Sequence, residues 1–569
     1  MMDRFRRTQW RLLLDGHFLR PLRDPYNALT VSIFAAYIVL WSAISLSRFF
    51  ALSATVYDLG VSAESLWLVL HPQGTAFGYL QSFLRNGLIY VLSPAVLLPN
   101  VDEFLLILQA VLLATPILLI YKIALMKLEN KKVGVLLSLV YFFYFPLAGV
   151  NWFDFHFQAL FIPLFIAGYF FYIRGSWKAT LFCFFLASLV RFPYVSFVIL
   201  FGLIELFSFW YIRFKRGTLT PWDRKSLRIA LYTLMFAGSL FVATFILHGG
   251  LAFILSESHV SGSGVSFFHA TLSNDIFTFG LIFLPVLFLP FLSKRWVLFL
   301  APAAYLVFFT GAYQYHYPYL FRLQYSSMFI PFVLLGTIDT LGRLPVWMDS
   351  ITRYVTKFLK ASKPVNSLRR SRIARKIVNV FVVCVFISTI VCASFLQPYG
   401  PFNNGIIGTF EYQHNTNINT TRFNALTEIL RMIPPGDPYV LVQNDMPQAY
   451  PRSVPIIPLV SGVFTNFNNI TNSDIAMNSY PLLLNGHTIY VKLDYLVGDV
   501  YTNLKYTTEP MMSMLNEFYN SGYYGIRAEV DGFILLQRNY KLAMSAYAPF
   551  SMWIYPNQPF TVSEDNMAE

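Results

Sequence analysis

Asp58, in the tetrapeptide Tyr57-Asp58-Leu59-Gly60, stands just beyond the first stretch of chain apolar enough to cross a bilayer. A carboxylate at that depth, beside lipid head groups, has four uses. It deprotonates an acceptor hydroxyl, binds a divalent cation, pairs with an arginine, or caps the helix that follows it. Glu64 follows in the same loop with the same options, and Arg48 and Arg85 flank the two acids. A second cluster, Asn151-Trp152-Phe153-Asp154-Phe155-His156, sets a carboxylate and an imidazole two positions apart at a tight turn between two apolar runs. Asp-x-His ligates a cation or orients a sugar hydroxyl, and its aromatic neighbours suit either a carbohydrate site or an interfacial anchor. Asp58, Asp154 and His156 are thus candidate ligands for a divalent cation as well as candidate acid–base groups.

Arg191 and Arg322 lie within or beside apolar runs, away from the basic connections that hold most of the cations. A planar guanidinium at the end of a helix bundle grips a phosphate or pyrophosphate, or else pairs with Asp154, Glu205 or Asp58. His316, in Tyr313-Gln314-Tyr315-His316-Tyr317, either joins that site or anchors the chain at the interface. The sequence has no phosphate-binding glycine loop, dinucleotide fingerprint, Cys/His zinc spacing or Gly-x-Ser-x-Gly elbow, which argues against coupling to nucleotide hydrolysis.

The elements that must position these residues are transmembrane. The 569 residues are 56% hydrophobic and 12% charged, too apolar for a water-soluble chain of this length. The net charge of +13 does not form a nucleic-acid-binding face. Thirty of the 42 lysines and arginines fall in residues 1–27, 122–132, 174–178, 213–228, 294–295 and 343–376, the connections that the positive-inside rule assigns to the cytoplasm. About 20 apolar residues cross a bilayer. Runs of about that length occupy 28–47, 102–121, 133–150, 157–173, 229–247, 276–292, 296–311, 325–342 and 377–396. The run 179–212 has basic residues at both ends, so it crosses twice, turning near Arg191-Phe192-Pro193, where Pro193 disfavours helix at the residue before it.

The expected fold is an all-α polytopic membrane bundle of about 11 spans followed by an extracytoplasmic α/β-like soluble domain. Residues 1–27 form a basic cytoplasmic N-terminus with no cleavage site after the first apolar run. Residues 28–396 form the transmembrane domain. Within it, the exterior loop 49–101 contains short helices on or in the membrane surface, and the basic cytoplasmic loop 343–376 acts as an orientation signal or an anionic-lipid site. The loop 248–275 carries His248, His259 and His269.

From residue 397 the charge balance reverses, to eight basic against fourteen acidic residues, which suits export. Cys183, Cys384 and Cys392 all sit in apolar runs, so this tail has no thiol for a disulfide. Its pattern predicts helices over 423–432 and 511–519 and strands over 439–442, 488–491 and 532–536. Asn419-Thr420-Thr421 and Asn469-Ile470-Thr471 are glycosylation sequons. The plasma membrane is the expected location, with membrane lipids as partners.

Tyr57-Asp58-Leu59-Gly60, Phe153-Asp154-Phe155-His156 and Tyr325 to Pro331 resemble the prokaryotic membrane-protein family catalogued as domain of unknown function 2079. The tail resembles it too, at Ile433-Pro434-Pro435-Gly436, Leu441 to Asn444, Tyr490 to Asp494 and Asp531 to Leu536. Arg191-Phe192-Pro193 departs from the basic-acidic-acidic triplet of many members. The family is similar in layout to the GT-C glycosyltransferases. That resemblance implies a polyprenyl-phosphate-linked sugar as donor and Asp58 as the catalytic acidic residue, beside which the residues themselves nominate Glu64, Asp154, His156, Arg191, His316 and Arg322 for binding.

Overall fold

In the computed structural model, the described residues of the helical part are 24–54, 56–71, 76–217, 220–248, 272–309, 319–358 and 367–397. In the C-terminal part they are 401, 418–434, 440–443, 446, 456–459, 472–484, 487–499 and 511–540. His316, His259, His269 and Asn469 lie outside them, as do residues 1–23.

Helix α1 (Pro25–Phe50) starts at Asp24, whose carboxylate accepts from the Tyr26 amide at 3.0 Å, with Pro25 in the first turn where its missing N–H costs nothing. The first loop then folds as short helices: a π-turn at Val56–Gly60 that holds Asp58, α2 (Val61–Leu70), α3 (Ala76–Arg85), α4 (Leu88–Leu92) and a 3₁₀ turn at Ser93–Leu97. None is long enough to span a bilayer, as the interrupted pattern of that loop predicts.

Helix α5 (Val101–Leu128) ends where Glu129 turns left-handed, and Asn130 caps α6 (Lys131–Phe143) through the amides of Lys132 and Val133. The run 133–150 is not straight. Tyr144 is extended ahead of Pro146, and α7 (Phe145–Trp152) leaves α6 at 49°. After the Asp154 turn, the 3₁₀ segment Phe157–Leu160 leads into α8 (Phe161–Arg174), which stops at Gly175 with φ of +81°.

The run 179–212 breaks where expected, into α9 (Trp177–Ser188) and α10 (Phe192–Arg216), with Arg191 extended at the N-cap and Pro193 in the first turn. A Thr220/Asp223 capping box starts α11 (Pro221–Leu247).

The next expected span, 276–292, is not one continuous helix. Helix α12 (Leu272–Phe283) gives way to 3₁₀ turns at Leu284–Val286 and Leu289–Leu292, and Leu287 and Phe288 are left-handed between them. Pro285 and Pro290 remove backbone donors there, and hydroxyls from two other helices satisfy the carbonyls that the break frees. Ser388 donates to Leu284 O at 2.9 Å, Thr389 to Pro285 O at 2.9 Å and Thr340 to Leu289 O at 2.7 Å. Helix α13 (Trp296–Phe309) and the short α14 (Tyr319–Arg322) follow.

A 3₁₀ turn at Gln324–Met328 leads to α15 (Ile330–Phe358), and α16 (Ser367–Leu396) closes the helical part. Much of 343–376, expected as a loop, is thus helix: both helices run past the apolar residues because their basic extensions still favour helix. Among the described residues, six helices are long and apolar enough to cross a membrane, or seven if α6 and α7 count as one bent span.

The tail contains helix and sheet as expected: α17 (Thr420–Arg431), β1 (Val440–Gln443), β2 (Ile456–Leu459), α18 (Asn472–Met477), β3 (Tyr480–Leu484), β4 (His487–Val491), β5 (Tyr495–Asp499), α19 (Met511–Asn520), β6 (Tyr524–Val530) and β7 (Phe533–Arg538). A five-stranded sheet has the order β2-β1-β5-β7-β6, parallel from β2 to β5 and antiparallel from β5 to β6. Strands β3 and β4 form a separate antiparallel pair. The expected 488–491 segment pairs only within this hairpin. Phe423 of α17 packs edge-on against Phe49 and Phe50 at 5.3 and 4.9 Å, joining the tail to the end of α1.

Candidate functional site

Three of the residues singled out for chemistry meet at the Asp154 turn. The Asp58 carboxylate lies 3.0 Å from His156 Nε2, and both side chains are largely buried. On the other side of the ring, His156 Nδ1 is 2.9 Å from the Asp154 carbonyl oxygen. A carbonyl only accepts, so Nδ1 carries a proton and donates it there. A second proton must then lie between Nε2 and Asp58, because two bare lone pairs would repel at that distance. Asp58 and His156 are thus joined by a hydrogen bond, and the His156 ring is oriented from its other side by the Asp154 carbonyl. Phe153 stacks on the His156 ring, with centroids 5.0 Å apart and planes at 29°.

Asp154 itself faces away from this pair. Its Oδ1 is 3.3 Å from Arg48 Nη2, and each of those side chains is 1% exposed. Arg48 also donates to the carbonyls of Trp152 and Ser53, the latter at 3.0 Å, while its guanidinium covers the Trp152 ring at 5.1 Å. One cation thus ties the end of α1 to both the first loop and the Asp154 turn. Gln109 braces the turn from α5: its Oε1 accepts from the His156 amide at 2.9 Å, and its Nε2 points to the carbonyls of Val150, Phe153 and Asp154 at 3.2, 3.4 and 3.4 Å. Ser62 Oγ approaches Phe155 O at 3.5 Å, at the limit of a hydrogen bond.

The arginines are placed by backbone contacts. Leu88 N donates to Leu189 O at 3.2 Å, so the first-loop helices touch the α9/α10 break that carries Arg191. One turn along α10, the Tyr194 and Ser327 hydroxyls are 2.8 Å apart, linking that break to the turn after Arg322. Gly149 of α7 meets the Arg322 segment so closely that a Cβ there would lie 1.9 Å from Phe321 O. The four segments bearing Asp58, Asp154/His156, Arg191 and Arg322 therefore form one connected layer. Glu64 sits in the first turn of α2, two turns of chain beyond Asp58, and is half-buried.

The carboxylates weighed as partners for Arg191 include two that other arginines hold: Asp154 pairs with Arg48, and Glu205 with Arg295 at 2.6 Å. Asp58, Asp154 and His156 do not converge as a cation site. Among the described residues, no three His, Cys, Asp or Glu side chains are grouped to hold a metal. Asn419 is exposed and caps α17, accepting from the Arg422 amide at 3.1 Å.

Gln109 escaped the reading of motifs, although an isolated amide in the run Phe104-Leu-Leu-Ile-Leu-Gln109-Ala-Val-Leu-Leu-Ala114 is itself a signal, because such a group must find partners in lipid. Arg48 was visible as a neighbour of Asp58, and its partner across the fold was not.

Fold and site together define a multi-helix membrane protein with a polar layer at one end of its helices. The chain belongs to the DUF2079 family of predicted membrane proteins, whose model matches residues 48–535. No curated protein matches it. Among solved structures it is similar to ArnT from Cupriavidus metallidurans, crystallised in the apo state, with 13% sequence identity over 88% of this chain and 98% of that one and a TM-score of 0.37. That likeness is too distant to speak to this chain's chemistry.

Proposed function

We propose that the chain is a glycosyltransferase-like membrane enzyme that moves a sugar from a polyprenyl-phosphate donor to an acceptor hydroxyl. The observation that carries this reading is the buried Asp58–His156 pair, oriented by a carbonyl and set in a π-turn, a distortion frequent at functional sites. Asp58 takes the acceptor's hydroxyl proton as the acceptor oxygen bonds to the anomeric carbon. The bond from that carbon to the phosphate oxygen breaks, and its electron pair leaves with the lipid phosphate. His156 holds Asp58 in place and balances its charge. Arg191 and Arg322 hold the departing phosphate, where negative charge grows. Asp154, fixed by Arg48, shapes the acceptor side, and Glu64 and His316 are further binding residues. No step needs a metal.

The same reading takes eleven crossings, with the N-terminus in the cytoplasm of a plasma-membrane protein and the tail outside, where Asn419 and Asn469 would be open to glycosylation. The two-way break at Arg191 and the distribution of basic residues support it. Interlocked rings argue against a carrier with a continuous polar path. Phe165 and Phe332 have centroids 4.4 Å apart, Phe161 and Tyr194 4.8 Å, and Phe184 and Phe201 4.8 Å, below the Asp58 layer.

The test is release of polyprenyl phosphate from a polyprenyl-phosphate-linked sugar by the purified protein. Asp58→Asn is expected to slow it by about a hundredfold or more, the usual worth of a general base. Unchanged turnover by that variant would sink the assignment, and sugar-lipid binding without release by the wild type would favour a non-catalytic lipid or glycan binder.

A further inference from the structure

A second polar cluster lies at the other end of the same helices. Gln109 and Lys127 are both on α5, eighteen residues apart, which is about 27 Å along a helix axis and close to the thickness of a bilayer's hydrocarbon core. Lys127 Nζ donates to Asp339 Oδ1 at 2.8 Å and approaches the Tyr169 hydroxyl at 3.3 Å. Arg343 Nε is 3.3 Å from the other oxygen of Asp339, which also accepts from Ser293 Oγ at 2.6 Å. Ser293 Oγ in turn accepts from the Arg295 amide at 3.1 Å, and the Arg295 guanidinium reaches Glu205 at 2.6 Å. The other oxygen of Glu205 accepts from the hydroxyls of Tyr172 and Ser226.

The charges in this cluster are sorted by depth. Glu205 and Asp339 are 2% and 5% exposed, whereas Lys127, Arg295 and Arg343 are 20%, 22% and 25% exposed. The three cations are the more exposed members and the two carboxylates the more deeply buried, leaving one positive charge in excess. Donors also outnumber acceptors. Arg343 Nη1 is buried with no hydrogen-bond partner among the described residues, although a guanidinium has five N–H groups to place. Helices α15 and α5 run side by side here: a Cβ at Gly342 would make ordinary van der Waals contact with Lys127, 3.7 Å from its Cβ. Three cations held by two carboxylates, with a spare donor and unbalanced charge, are what a phosphate group needs.

We propose that Lys127, Arg295 and Arg343 form a phosphate-group site at the end of the bundle opposite Asp58, taking either the head group of an anionic phospholipid or a free phosphate. Glu205 and Asp339 hold the three cations in place. The site is independent of the glycosyl-transfer reading, since it lies at the far end of α5 and shares none of its residues.

The full-length protein is reconstituted in phosphatidylcholine nanodiscs with and without phosphatidylglycerol, and separately titrated in detergent with inorganic phosphate at constant ionic strength. Binding is read by native mass spectrometry and by the shift in melting temperature. Wild type is expected to bind one of the two probes. Arg343→Gln should weaken that binding about tenfold, the worth of roughly one charge-assisted contact, with its melting temperature in phosphatidylcholine alone nearly unchanged. Retained lipid with no response to inorganic phosphate identifies a lipid head group, and the reverse a soluble phosphate. The proposal is overturned if wild type binds neither probe, or if Arg343→Gln binds as wild type does. Should Arg343→Gln not fold, Arg343→Lys keeps the charge but loses the fork, and must still weaken binding for the proposal to stand.

Discussion

Replacing Arg48 by methionine tests whether the Asp154 turn is held by a buried ion pair. The substitution keeps the length and apolar stem of the side chain, and it takes the guanidinium away from a carboxylate that is 1% exposed while depriving the Trp152 and Ser53 carbonyls of a donor. Removing one partner of a buried pair costs about 3–5 kcal/mol, because the other charge stays out of water. Asp154→Leu should cost nearly as much by stranding the guanidinium, somewhat relieved by the two carbonyls it still meets. The double variant leaves no buried charge, only under-satisfied carbonyls at about 1–3 kcal/mol. The two single losses should therefore exceed the double loss by about 3 kcal/mol or more. The assay is a double-mutant cycle on unfolding of the four proteins in one detergent, read by circular dichroism. Additivity to within about 0.5 kcal/mol would mean that the two residues act separately, and the account of the turn would be wrong.

Gln109→Leu removes the brace on the same turn without adding charge. Four backbone groups lose a partner, and the expected result is a loss of about 2–4 kcal/mol together with a drop in turnover, measured by unfolding and by polyprenyl phosphate release. A normal melting temperature would show that the amide is not needed. Gly149→Ala places a methyl group 1.9 Å from Phe321 O, a backbone atom that cannot rotate away, so α7 and the Arg322 segment must part. Loss of folded yield, or of at least about 2 kcal/mol, is expected on overpacking grounds, and a variant of wild-type stability would contradict the contact.

The transmembrane reading was legible because lipid leaves few options: apolar length and basic flanks located the ends of α1 and α8 to within about a turn, and charge together with Pro193 placed the break at Arg191, whereas α5 runs on to Leu128 and α11 starts at Pro221, well outside the expected 102–121 and 229–247. The segment after Phe283 was misjudged for a physical reason. Composition cannot distinguish a continuous span from one broken at Pro285 and Pro290 and satisfied by Thr340, Ser388 and Thr389, because those hydroxyls sit on other helices. In the tail, β2, β3 and β5 were missed because such short strands do not stand out from helix or loop, and β6 was missed although Gly522 and Asp531-Gly532 mark turns on either side of it. The site was half legible. Asp58 and His156 were nominated separately by type and place, and their contact across the fold confirms neither a role nor a substrate. Arg48 and Gln109 were harder, since what they do depends on a turn about 40 to 100 residues away in sequence.

The position of the aromatic packing decides where protons go. On α10, Arg191 and Tyr194 belong to the upper layer, Phe201 to the rings and Glu205 to the lower cluster. On α8 the order repeats, from Phe161 and Phe165 to Tyr169 and Tyr172, with α5 running from Gln109 to Lys127 beside them. No ionisable side chain of α8 lies between Phe161 and Tyr169, so a proton taken up at Asp58 has no carboxylate or imidazole on that helix to step to. Under the proposed reaction, the proton that Asp58 takes from the acceptor returns to the same face, so the proton balance closes within each turnover. Such a balance does not suit proton-coupled transport, in which relays of ionisable residues connect the two faces. In the lower cluster both carboxylates are engaged by cations, Asp339 by Lys127 and Arg343 and Glu205 by Arg295.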